Sequence, residues 1–128
     1  MIPKEINYLE VYLTFRCNLN CDYCINKFGG LKSRKEISGE EWVSGLEKIS
    51  FQPITLGGGE PSLHKDFFYI LNNLSGIDLL TNLQFDADEF IDKVNPKNFT
   101  FSYKPFYHSI RVSYHVGKSN PKKLINKT

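Results

Sequence analysis

Strand-like and helix-like segments alternate along the whole chain, and this alternation limits the fold more than any other feature. Residues 8–15 set Leu9, Val11, Leu13 and Phe15 against Tyr8, Glu10, Tyr12 and Thr14, the two-residue period of a strand. Ser38 and Glu41 fit a capping box, with Ile37 and Trp42 placed as a hydrophobic staple. Trp42, Val43, Leu46 and Ile49 then make the apolar stripe of a helix ending near Ser50. A brief apolar run over 53–56 is cut by Gly57-Gly58-Gly59-Glu60-Pro61, and 65–74 again reads as helix. Residues 77–81 form a third strand, and Asp86 with Glu89, stapled by Phe85 and Phe90, opens a helix to about Val94. The aromatic stretch 99–107 has no clear period, 109–115 alternates as a fourth strand, and Pro121 starts a short helix anchored by Leu124 and Ile125. Repeated βα units of this kind imply an α/β fold with a mostly parallel sheet.

Strands of a parallel sheet are usually apolar on both faces. Here the first keeps Tyr12 and Thr14 on one face, and the fourth keeps Arg111, Ser113 and His115. Either these are edge strands facing water, or the sheet curls so that its concave face holds a polar ligand and helices cover only the outside. The 128 residues suffice for one core. A net charge of +2, widely dispersed, points to neither a nucleic-acid nor a membrane partner. The first ten residues lack the apolar run of a signal peptide, so a cytoplasmic chain is expected.

Cys17, Cys21 and Cys24 are the three cysteines, spaced C-x3-C-x2-C directly after the first strand. An odd, clustered set argues against a disulfide framework and for thiolates that hold a metal. Three such ligands suit an iron-sulfur cluster with one iron left open. They equally suit a structural zinc ion completed by His64, His108 or His115, and unrelated buried thiols are the plainest alternative. The Gly57–Glu60 turn ends the next strand; its glycines would let a ligand approach bare backbone, and Glu60 could accept hydrogen bonds from an ammonium group. Arg16 reads as a charge offset, His64 as a helix cap, and Arg111 and His115 as candidates for ligand contact.

Together, the cysteine motif and GGGEP resemble the radical S-adenosylmethionine (radical SAM) superfamily. The resemblance implies a partial (β/α)6 barrel of which about four βα units are present, so that residues 1–128 would be a core domain incomplete at its C-terminus. It implies that Cys17, Cys21 and Cys24 hold a 4Fe-4S cluster and that Tyr23 lies near the adenine of SAM. Gly57, Gly58, Gly59 and Glu60 would bind the methionine amino group. Asn82, in Thr81-Asn82-Leu83, is similar to the family's TNG and would line the SAM pocket, and Ser113 would contact the ribose or carboxylate. The implied activity is reductive cleavage of SAM to a 5′-deoxyadenosyl radical that abstracts hydrogen from an unknown substrate, with electrons from an external low-potential donor. Two further expectations stay open: a noncatalytic iron-sulfur or zinc module, and a half-barrel completed by a partner chain at the exposed edge of the fourth strand.

Overall fold

The computed structural model describes residues 9–27, 35–49, 53–99 and 108–127. Its elements in order are β1 (Leu9–Thr14), α1 (Gly39–Leu46), β2 (Ile54–Gly58), α2 (Phe67–Asn73), β3 (Ile77–Thr81), α3 (Ala87–Lys93), β4 (Ile110–Val112) and α4 (Pro121–Ile125). Short 3-10 turns occupy Ile25–Lys27, Pro61–Leu63 and Pro96–Asn98. The expected positions of Tyr8, Ser50 and residues 100–107 lie outside the described residues.

The sheet order is β1-β2-β3-β4, with every neighbouring pair parallel. Each crossover therefore steps the same way, the progression of a βα barrel; a doubly wound sheet reverses its order midway. Right-handed crossovers then place the helices on one side of the sheet. The packing agrees: Leu13, Ile54, Leu56, Ile77 and Leu79 share one core with Val43 and Leu46 of α1, Phe67, Ile70 and Leu71 of α2, and Val94 after α3.

The alternate residues face the other way. Glu10, Thr55 and Asp78 stand in register across β1, β2 and β3, and Arg111 on β4 is in register with Leu80. β1 and β4 are the outer strands of the four, as the edge reading expects, but Thr55 and Asp78 sit fully buried on the two inner strands, so the polar row is not confined to the edges. Arg111 joins this row, with Nη1 3.7 Å from Asp78 Oδ2 and Nη2 donating to Thr55 Oγ1 at 3.3 Å. The polar face is thus the inner face of a sheet covered by helices on its other side.

Local signals account for most boundaries. Ser38 Oγ accepts from Glu41 N–H while Glu41 accepts from Ser38 N–H, a complete capping box. Asp86 caps α3, and Phe85 stacks on Phe90 at 4.9 Å. Three expectations are corrected. α1 ends at Leu46 because the chain tightens into i→i+3 bonds from Lys48 and Ile49 around Gly45, leaving Ile49 exposed. Ile37 is largely exposed, a weak staple for Trp42. β4 stops at Val112 instead of His115: Thr81, the last residue of β3, already pairs with Val112, so residues beyond Ser113 have no strand to join. No helix among the described residues is long and apolar enough to cross a membrane.

Candidate functional site

The site is built where β1, β2 and β3 end. Gly58 has φ +139°, and a Cβ there would collide with the Thr14 carbonyl; one at Gly59 would collide with the Arg16 carbonyl. Gly59 N–H donates to Thr14 O and Glu60 N–H to Arg16 O, both at 2.8 Å. The glycines therefore let the start of the cysteine loop close down on β2. The backbone that these glycines admit is the chain's own. Gly57 makes only ordinary contacts.

Glu60 is completely buried and acts as a brace. Its Oε1 accepts from Ser62 Oγ (2.7 Å), Ser62 N–H (3.2 Å) and Thr81 Oγ1 (2.7 Å), and its Oε2 accepts from Asn82 N–H (2.7 Å). One carboxylate thus ties the end of β2 to the end of β3, an arrangement that offsets the cost of its burial. Thr81 Oγ1 in turn accepts from Leu83 N–H, and Leu83 takes φ +57°. That left-handed conformation costs an L-residue roughly 1–2 kcal/mol. Leu83 stands where the TNG pattern has glycine, and the backbone keeps the conformation that glycine suits.

Above this corner opens a cavity of about 270 Å³ lined by all three cysteines together with Tyr12, Tyr23, Asn26, Gly58, Gly59, Thr81, Asn82, Ser113 and His115. Of the residues that the resemblance assigns to the cluster or to SAM, only Gly57 and Glu60 are missing from its walls. Asn82 is buried and bridges β3 to the cysteine loop: Nδ2 donates to Asn18 Oδ1 at 2.8 Å and approaches Cys17 Sγ at 3.9 Å, while Oδ1 accepts from Gln84 N–H. Asn26 Nδ2 reaches Gly58 O at 3.4 Å. Sequence reasoning missed Asn26 and Thr81; their only signals are proximity to Cys24 and a place at a strand end.

The cysteines are free thiols, with Cys21 buried and the other two half-buried. Burial pushes the Cys17 thiol up, partly offset by the hydrogen bond from Leu19 N–H. Among the described residues, no three His, Cys, Asp or Glu side chains gather closely enough to hold a single metal ion. Three unbonded thiols around one roomy cavity form a donor set that fits a larger thiolate-held group such as an iron-sulfur cluster. His64 has both ring nitrogens engaged, Nε2 with Ile37 O and Nδ1 with Asp66 N–H; the N-cap of α2 is Asp66, so the ring ties down the residue ahead of the helix without capping its first turn. Arg16 is paired too, donating to Glu36 at 2.8 and 3.1 Å and to Leu63 O at 2.6 Å. Arg111 belongs to the polar row beneath the cavity, whereas His115 lines the cavity itself.

Residues 11–108 match the family model of the radical SAM superfamily. The chain is 33% identical over 104 residues to a 7-carboxy-7-deazaguanine synthase of Clostridium acetobutylicum, covering 75% of this chain and 47% of that protein. It is 32% identical over 87 residues to a probable GTP 3′,8-cyclase of Methanopyrus kandleri, covering 63% of this chain and 28% of that protein. With a PqqA peptide cyclase of Bradyrhizobium diazoefficiens the identity is 36% over 74 residues, 56% of this chain and 20% of that protein. The chain thus spans from a fifth to about half the length of these relatives. A single-direction βα progression, a three-cysteine loop seated on a GGGEP corner, and a family match over most of the chain lead to one conclusion: this chain belongs to the radical SAM superfamily.

Proposed function

We propose that residues 1–128 form the N-terminal part of a radical SAM core in which Cys17, Cys21 and Cys24 hold a 4Fe-4S cluster and the cavity above them receives SAM. The observation that carries this reading is the meeting of three free thiols with Gly58, Gly59, Asn82 and Ser113 around one cavity. Bound there, the cluster would pass an electron, from an external low-potential donor, to the sulfonium of SAM, which splits into methionine and a 5′-deoxyadenosyl radical. Gly58 and Gly59 present backbone to the methionine amino group, with Glu60 and Gly57 setting the position of that backbone from below. Tyr23 and Asn82 flank the adenosyl part, and Ser113 offers its hydroxyl to the ribose or carboxylate.

The names of the three relatives refer to a deazaguanine, to GTP and to a peptide. What they have in common with this chain is therefore the radical-forming part, and the substrate belongs to segments outside it. Reduced thiol ligands support a cytoplasmic setting.

Anaerobic reconstitution with iron and sulfide tests the reading. The chain is expected to take up a cluster, and a longer chain with two more βα units is expected to cleave SAM to 5′-deoxyadenosine. Cys21→Ala should abolish both. Cleavage that survives this substitution, or stoichiometric zinc without iron and sulfide, would overturn the assignment.

A further inference from the structure

We infer that His115 donates a hydrogen bond from Nδ1 to the sulfur of Cys21 and so raises the reduction potential of the group that the cysteines hold. This rests on the cluster reading above and adds a residue to it. The early end of β4 is what makes the contact: released from the ladder after Ser113, the chain turns across the cavity mouth. Both backbone groups of His115 are then fixed, its N–H donating to Ser119 Oγ at 3.0 Å and its carbonyl accepting from Ser119 N–H at 2.8 Å and Lys118 N–H at 3.0 Å. Ser119 is buried, and Gly117 supplies φ +72° for the turn. The imidazole is held as well: its plane lies within 14° of the Tyr23 ring, with centroids 6.3 Å apart. In this pose Nδ1 is 3.5 Å from Cys21 Sγ and 3.4 Å from the Tyr23 hydroxyl.

The direction of the bond follows from the ligand's chemistry. A metal-bound thiolate has no hydrogen to give, so a hydrogen bond between the two has Nδ1 as its donor, and a charged sulfur is a stronger acceptor than the Tyr23 hydroxyl. One-electron reduction would add negative charge to the sulfurs of a cluster held by Cys17, Cys21 and Cys24. A donor aimed at one of those sulfurs stabilises the reduced form, and hydrogen bonds to sulfur are among the determinants of cluster potential. Cys17 receives a comparable bond from a backbone amide, Leu19 N–H at 3.4 Å. The bond to Cys21 comes from a side chain and can be removed.

Potentiometric titration of the reconstituted protein with dithionite, followed by electron paramagnetic resonance, reads the effect. His115→Leu should lower the reduced-to-oxidised ratio at a given potential about tenfold, roughly 59 mV for a one-electron couple. His115→Asn, whose amide nitrogen matches Nδ1 in reach, should restore most of it at equal iron and sulfide content. A bound cluster whose potential is the same in all three proteins would overturn the inference and leave the cluster reading intact. Absence of a cluster from the unaltered protein would overturn the cluster reading itself. Should the Leu variant lose its cluster, a labelled-histidine nitrogen coupling in the unaltered protein decides the matter, and its absence overturns the proposal.

Discussion

The two faces of the sheet are made by the same strands one residue out of step, and they answer to different demands. Toward the helices, Leu13, Leu56 and Leu79 are almost entirely shielded by apolar neighbours. Toward the inside, Tyr12, Thr55, Asp78 and Arg111 carry polar groups even on the central strands. A register slip of one residue would exchange the two sets, so packing on one face fixes the placement of chemistry on the other. Stability and site are thus separable by substitution although they lie a few ångströms apart.

The largest expected effect falls on the helix-covered face. Leu56 is fully buried on β2, and Leu56→Ala should cost about 2–5 kcal/mol of unfolding free energy, seen as a lower urea midpoint. A loss below about 1 kcal/mol would mean that the helices do not close tightly over this face. Next comes the corner joining the two faces. In Glu60→Gln one oxygen can keep the three donors now on Oε1, but the new amide group must face Asn82 N–H, donor against donor. The expected cost is about 1–3 kcal/mol. A neutral result would show that Glu60 does not brace the strand ends.

Much of this organisation could be read in advance, for physical reasons. Period-two alternation marks which residues of β1 face the core, and Ser38 and Asp86 mark helix starts because their side chains satisfy the first free amides. The three cysteines and GGGEP mark the site because few folds need that chemistry at those points. The rest depends on partners distant in sequence. Nothing local says that Gly58 and Gly59 must admit the backbone of residues 14–16, or that Glu60 will take four hydrogen bonds from residues 62, 81 and 82. The end of β4 is likewise set by where β3 stops, and with it the approach of His115 to Cys21.

A smaller effect is expected where the cysteine loop leaves β1. The Arg16 guanidinium, hydrogen-bonded to Glu36, holds that carboxyl below its ordinary range, helped by the Thr14 hydroxyl. Because the folded-state value is depressed, Glu36 stabilises the fold above its unfolded value of about 4.3, and this contribution disappears as pH falls through the lower, folded value. Arg16 is half exposed, which limits the pair to roughly 0.2–1 kcal/mol. Glu36→Gln should therefore lower the urea midpoint slightly at pH 7 and lower it less at about pH 3, below the unfolded value. An equal loss at both values would show that charge is not the cause.

The smallest effect on stability, and the sharpest test of the separation between faces, belongs to Ser113. Its N–H donates to Thr81 O at 2.8 Å, a backbone bond that Ser113→Ala retains, while the residue lines the cavity beside the cysteines. Unfolding free energy should change by no more than about 0.5 kcal/mol. Loss of one neutral hydrogen bond to SAM, about 1 kcal/mol, should weaken SAM binding to the cluster-loaded protein by roughly fivefold in equilibrium dialysis. The variant thus reverses the pattern of Leu56→Ala, which is expected to harm folding first. If Ser113→Ala instead unfolded at markedly lower urea with unchanged SAM affinity, the hydroxyl would belong to the scaffold, and the inner face would contribute to stability as the outer one does.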